Sequence, residues 1–84
     1  MRKLFLLFIL LIGISHYGQS LNLTVNTEST NLNIRETPST EGNIVGKAAK
    51  GELVTLVEQT NGEWWLVRTK DGEQGYAYSR YLQA

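Results

Sequence analysis

The 84-residue chain has no cysteine, one histidine and one proline. Without cysteine there is no disulfide, no thiol nucleophile and no cysteine-ligated zinc, and no N-terminal cysteine to carry a lipid. The histidine, His16, lies in a leading segment that reads as removable. The rest of the chain then holds no imidazole, so Ser29, Ser39 and Ser79 have no such base to activate them. Excess charge is missing too, and so is any long stretch with helical amphipathic spacing. A helical bundle is thereby disfavoured.

The leading segment is MRKLFLLFILLIGISHYGQS. Arg2 and Lys3 make a charged tip, an apolar run follows from Leu4 to Ile12, and small and polar residues close it. This is the layout of a secretory signal peptide. The run is about half the ~20 residues a membrane-spanning helix needs. Residues 1–20 are therefore expected to be a signal peptide, an uncleaved anchor being the alternative. Gly18 and Ser20 favour a cut after Ser20, with Gly18 the second choice. With the segment cleaved, the product is expected to be exported, to periplasm, envelope or exterior, without a stable membrane anchor.

Six basic and eight acidic residues remain beyond Ser20. That balance offers no basic face for phosphates, so nucleic acid is an unsuitable partner. About 64 residues bury only ~60% of their unfolded surface. The domain must therefore be compact and regular.

Turn signals recur at Lys50-Gly51, Asn61-Gly62 and Asp71-Gly72, ten or eleven residues apart. That spacing suits short strands in a barrel or sandwich. Leu32 to Glu36 alternates apolar and polar residues, as a half-buried strand does. Thr37 to Asn43 contains Pro38 and reads as a loop. Ile44 to Ala48 is a short strand whose Gly46 marks a bulge or bend. Glu52 to Gln59 is rich in β-branched residues. Asn61-Gly62 and Asp71-Gly72 are read as tight hairpin turns, leading into Glu63 to Thr69 and Gln74 to Tyr78. Ser79 to Leu82 reads as one helical turn with Ser79 as N-cap. Residues 21–30 are a lead-in, either a further strand or an extended approach, and residues 31–84 form the domain. The expected fold is all-β, with about five strands closed by a short helical turn.

Three stretches resemble the bacterial SH3 domain of cell-envelope proteins. LNIRETPST (32–40) is similar to that family's opening, KGELVTLVE (50–58) to its Lys-Gly strand, and DGEQGYAYSRYL (71–82) to its close. The order and spacing of the three carry the resemblance. Thr37 and Ala77 depart from the family pattern, where a small residue and a valine are usual. The resemblance implies a small SH3-like barrel that binds a cell-wall or other envelope peptide. The second half also resembles eukaryotic signalling SH3 domains. Their groove proline and asparagine fall on Tyr78 and Arg80 here, which weighs against polyproline ligands.

Chemistry outside the aromatics is sparse. Seven glutamates are scattered singly, and Asp71 with Glu73 lacks the six to eight oxygens calcium takes. The expectation is a non-catalytic module with no cofactor and no metal, a minimal glycan-cleaving enzyme being a remote alternative. In GEWWLVR (62–68), alternation sends Trp65 with Val67 to the barrel side and Trp64 with Leu66 and Arg68 to the other. Trp64 is thus the candidate contact residue, unless it covers the barrel end as packing. Tyr78 or Tyr81 is expected beside it, while Tyr76 is expected to pack. Glu41, Glu58 and Glu63 are expected to flank this surface, or only to keep the domain soluble. The candidate ligand site is Trp64, Tyr78, Tyr81, Arg68, Glu41 and Glu63. An aromatic shelf with carboxylates suits a peptide with free amines. The resemblance identifies these as peptidoglycan stem or cross-bridge peptides. Docking of an envelope protein partner is the alternative, on a monomeric domain.

Overall fold

The LNIR alternation is realised in the first strand it specifies: Leu32 and Ile34 are buried, and Asn33 and Arg35 half-buried. The computed structural model describes residues 20–84, so the expected signal segment lies outside the described residues except for Ser20. The strands are β1 (Asn22–Val25), β2 (Leu32–Arg35), β3 (Ile44–Ala48), β4 (Leu53–Glu58), β5 (Trp64–Arg68) and β6 (Gln74–Tyr78). A 3-10 turn (Ser79–Tyr81) and β7 (Leu82–Gln83) complete the chain. All pairings are antiparallel, in one seven-stranded sheet ordered β3-β2-β6-β5-β4-β1-β7.

Every strand sends at least one apolar side chain to one common core. Leu23 and Val25 come from β1, Leu32 and Ile34 from β2, Ala48 from β3 and Val54 from β4. Val67, Ala77 and Leu82 come from β5, β6 and β7. One sheet can gather a single face around one core only by rolling up, so the sheet is a small barrel. This is the all-β, SH3-like architecture expected from the sequence.

Seven strands stand where about five were expected. The two additions are β7 and the lead-in strand β1, which pairs with β4 and β7. Leu23 and Val25 are almost fully buried, so β1 is part of the barrel core.

The two Gly turns behave differently. At Asp71-Gly72, the Gly72 N–H donates to the Thr69 carbonyl at 2.9 Å, closing a turn over Lys70-Asp71, and Gly72 follows at φ +91°, which makes a three-residue hairpin and not the two-residue form. Gly62 has no positive φ, so Asn61-Gly62 is not the two-residue turn expected. A longer connection runs from Glu58 to Trp64 instead. Thr60 organises it: its Oγ1 donates to the Trp64 carbonyl at 2.6 Å and accepts from the Gly62 N–H at 3.2 Å. The register also slips between Leu56 and Glu58, which leaves Val57 as an extra residue. A second slip leaves Val45 extra beside Gly46, the position flagged by its glycine. Ser79 is not an N-cap: it is the first residue of the 3-10 turn, Tyr78 precedes it, and no side chain caps that end.

Gly75 allows β2 and β6 to close together. A Cβ there would lie 2.6 Å from the Arg35 carbonyl oxygen and 2.9 Å from methyl carbons of Ile34 and Val45. Gly75→Ala is expected to lower stability by about 1–3 kcal/mol, read as a fall in melting temperature. Gly62→Ala, whose nearest neighbour would be 3.9 Å away, should stay within ~0.5 kcal/mol of the parent. An unchanged melting point in Gly75→Ala would refute the close approach. A chain starting at Asn31 lacks Leu23 and Val25. It is expected to lose its cooperative thermal transition, because such losses approach the few kcal/mol a core of this size supplies.

Candidate functional site

The two neighbouring tryptophans separate as strand alternation requires. Trp65 packs against the core cluster, beside the fully buried Val67 in sequence parity. Trp64 is not part of that cluster. It opens β5 opposite Tyr78, the last residue of β6. Their ring centroids are 5.4 Å apart at 52°, and those of Tyr78 and Tyr81 are 5.8 Å apart at 58°. Both are tilted contacts in the favourable range for aromatic pairs. Three rings thus form a continuous run from the start of β5 across the end of β6 to the 3-10 turn.

That run lines an open groove of about 840 Å³, together with Glu63 and Arg80. The β1–β2 connection, Thr27 to Asn31, also lines it, as do Leu32, Asn33, Arg35 and Thr40. The volume lies within the range of small-ligand sites.

Hydrogen bonds to backbone carbonyls hold the groove lining. The Ser79 N–H donates to the Glu63 carbonyl at 2.7 Å, fixing the 3-10 turn to the start of β5. The Asn26 N–H donates to the Tyr81 carbonyl at 2.8 Å, fixing the same turn to the start of the β1–β2 connection. Lys50 Nζ donates to the Glu28 carbonyl at 3.1 Å, and Thr27 Oγ1 donates to the Thr30 carbonyl. Arg35 Nη1 donates to the Gly42 carbonyl at 2.9 Å and secures the Pro38 loop.

Of the residues expected at the site, Trp64, Tyr78, Tyr81 and Glu63 line this groove. Glu41 and Arg68 do not. Arg68 is four residues along β5, roughly 13 Å away at strand rise. There its Nη2 donates to Gln74 Oε1 at 2.9 Å. Glu41 is exposed in the Pro38 loop, where its N–H is 3.3 Å from Ser39 Oγ. Tyr76, expected to pack inward, is half-buried on the outer face, because its neighbours Gly75 and Ala77 take the inward positions.

Ten groove residues were not anticipated, among them Glu28, Asn33, Arg35 and Arg80. Alternation already turns Asn33 and Arg35 outward on β2. Glu28 and its loop could not be placed without knowing that β1 crosses to β4. Among the described residues, no cluster of three or more acidic or imidazole groups is arranged to hold a metal ion.

The two tryptophans should be separable by stability. Trp65→Ala removes packing against the core and is expected to cost about 2–3 kcal/mol. Trp64→Ala removes mainly the contact with Tyr78 and should cost about 1 kcal/mol. Urea midpoints measure both, and the reverse order would contradict the assignment of Trp65 to the core.

The chain's similarity to known proteins agrees with this geometry. A family model described as the bacterial SH3 domain matches residues 30–83. No curated protein matches the chain. The match spans β2 through β7 and includes Glu63, Trp64, Tyr78 and Tyr81, while β1 precedes it. The chain belongs to the bacterial SH3 domain family, a family of binding modules.

Proposed function

We propose that this protein is an exported, non-catalytic module that binds peptides of the cell envelope, specifically stem or cross-bridge peptides of peptidoglycan, in the groove along Trp64. The observation that carries this reading is the Trp64–Tyr78–Tyr81 run in an open groove that Glu28 and Glu63 also line. Aromatic faces give apolar contact to a flexible backbone without demanding one sequence. Carboxylates at the rim suit the free amines of such peptides, since ammonium–carboxylate bonds are charge-assisted.

Binding is favoured over hydrolysis by the setting of these carboxylates. Glu28 and Glu63 are both exposed to water, whereas a glycosidase general acid is kept protonated by an apolar setting. The export reading rests on the leading segment of the sequence. A second reading, docking of an envelope protein, draws on β3. This strand lies at one end of the sheet order and exposes Ile44 and Val45. Lys47, also exposed on β3, is the kind of residue that discourages edge pairing, so the groove remains the stronger candidate.

Co-sedimentation with purified sacculi tests the proposal. The protein is expected in the pellet, and Trp64→Ala should reduce the bound fraction several-fold while its thermal transition persists. Equal retention of parent and variant would remove Trp64 from the site. No retention of either would exclude peptidoglycan as the ligand.

A further inference from the structure

Glutamates explain an affinity for amines, but the same groove also holds two guanidinium groups, Arg35 and Arg80. Their mountings differ from those of ordinary surface cations. Arg80 projects from the 3-10 turn between Tyr78 and Tyr81. That turn is fixed on both sides, by Ser79 N–H to the Glu63 carbonyl at 2.7 Å and by Asn26 N–H to the Tyr81 carbonyl at 2.8 Å. Arg80 itself is exposed and lines the groove. Arg35 is half-buried and is oriented by its bond to the Gly42 carbonyl at 2.9 Å. A guanidinium has five N–H donors in a planar fork, so that one bond leaves donors free. Such forks match the two oxygens of a carboxylate.

The groove is therefore bipolar, with Glu28 and Glu63 to accept from cations and Arg35 and Arg80 to donate to anions. We infer that Arg80, assisted by Arg35, binds a free carboxylate of the ligand, so that the module takes peptides carrying a free carboxyl terminus as well as a free amine. This rests on the peptide-binding reading above and narrows it. A peptide whose carboxyl end is amidated or linked onward loses this contact and is held only by the rings and the glutamates.

Titration calorimetry with the peptide Lys-Ala-Ala tests the inference, using its free acid, its C-terminal amide and its Nα,Nε-diacetylated acid. The free acid is expected to bind ~10-fold more tightly than the amide, the size of one good charge-assisted contact. Arg80→Gln should weaken the acid to the level of the amide and leave the amide unchanged. Trp64→Ala should weaken both by the same factor. Arg35→Gln should reduce the acid preference, and a full preference in that variant would remove Arg35 from the contact. Acid and amide binding equally to the parent protein would overturn the inference, as would a preference that survives Arg80→Gln. Diacetylation should weaken binding independently of Arg80, because it tests the glutamates. Retention on sacculi without any acid preference would sink the carboxylate contact alone. Binding to none of the peptides would overturn the carboxylate contact and weigh against the peptide-binding reading as well.

Discussion

The interior of this barrel is too narrow for rings, and the placement of every described aromatic follows from that limit. Its largest fully buried side chains are Ile34, Val25, Val54 and Val67. Small barrels have just enough internal space for aliphatic side chains to fill. Gly75 and Ala77 narrow it further on β6, where Gly75 allows the Arg35 carbonyl to come close. Trp64, Tyr76, Tyr78 and Tyr81 must then lie on the outer face or rim. Trp65 reaches the core but is only partly covered. A fold that cannot bury its aromatics collects them on its surface, and three of them meet where β5, β6 and the 3-10 turn converge.

An aromatic cluster becomes a groove only when something faces it. The β1–β2 connection does so, and its position depends on β1. Burial of Leu23 and Val25 draws the N-terminal strand between β4 and β7. The chain must then run from β1 to β2, and residues Thr27 to Asn31 line the groove on the way. Core packing and site geometry are thus one problem. The clamps from Asn26 to Tyr81 and from Lys50 to Glu28 hold the groove lining through backbone carbonyls.

Much of this was legible from local pattern. Alternation in LNIR identified β2 and its outward face, and alternation in WWLVR separated Trp64 from Trp65. The spacing of turn residues gave the order of strands. Failures occurred where a local rule competed with a tertiary demand. Asn61-Gly62 is a strong hairpin signal, yet Thr60 satisfies the Trp64 carbonyl and sets a longer loop. Arg68 shares a face with Trp64 but not a neighbourhood, since parity along a strand says nothing of distance. Tyr76 is expected to pack because it follows Gly75, yet alternation gives the buried positions to Gly75 and Ala77 and leaves Tyr76 half-buried between them. β7 has only two residues, too few for any periodicity to show.

The arrangement of charge is the least readable part, and the reason is topological. Glu28 and Glu63 are 35 positions apart, as their numbers show, yet they line the same groove. Arg35 and Arg80 are separated still further, and no spacing rule connects β2 to a 3-10 turn. Net charge is nearly balanced, so composition gives no sign that one groove gathers both polarities. Such a groove gains little from long-range steering, because opposite charges cancel beyond about one Debye length. Under the proposed binding role, discrimination between ligands arises at contact distance, where carboxylates, rings and guanidinium groups line the same groove. The hydrogen bonds that tie the 3-10 turn to β5 and to the β1–β2 connection fix the backbone that carries them.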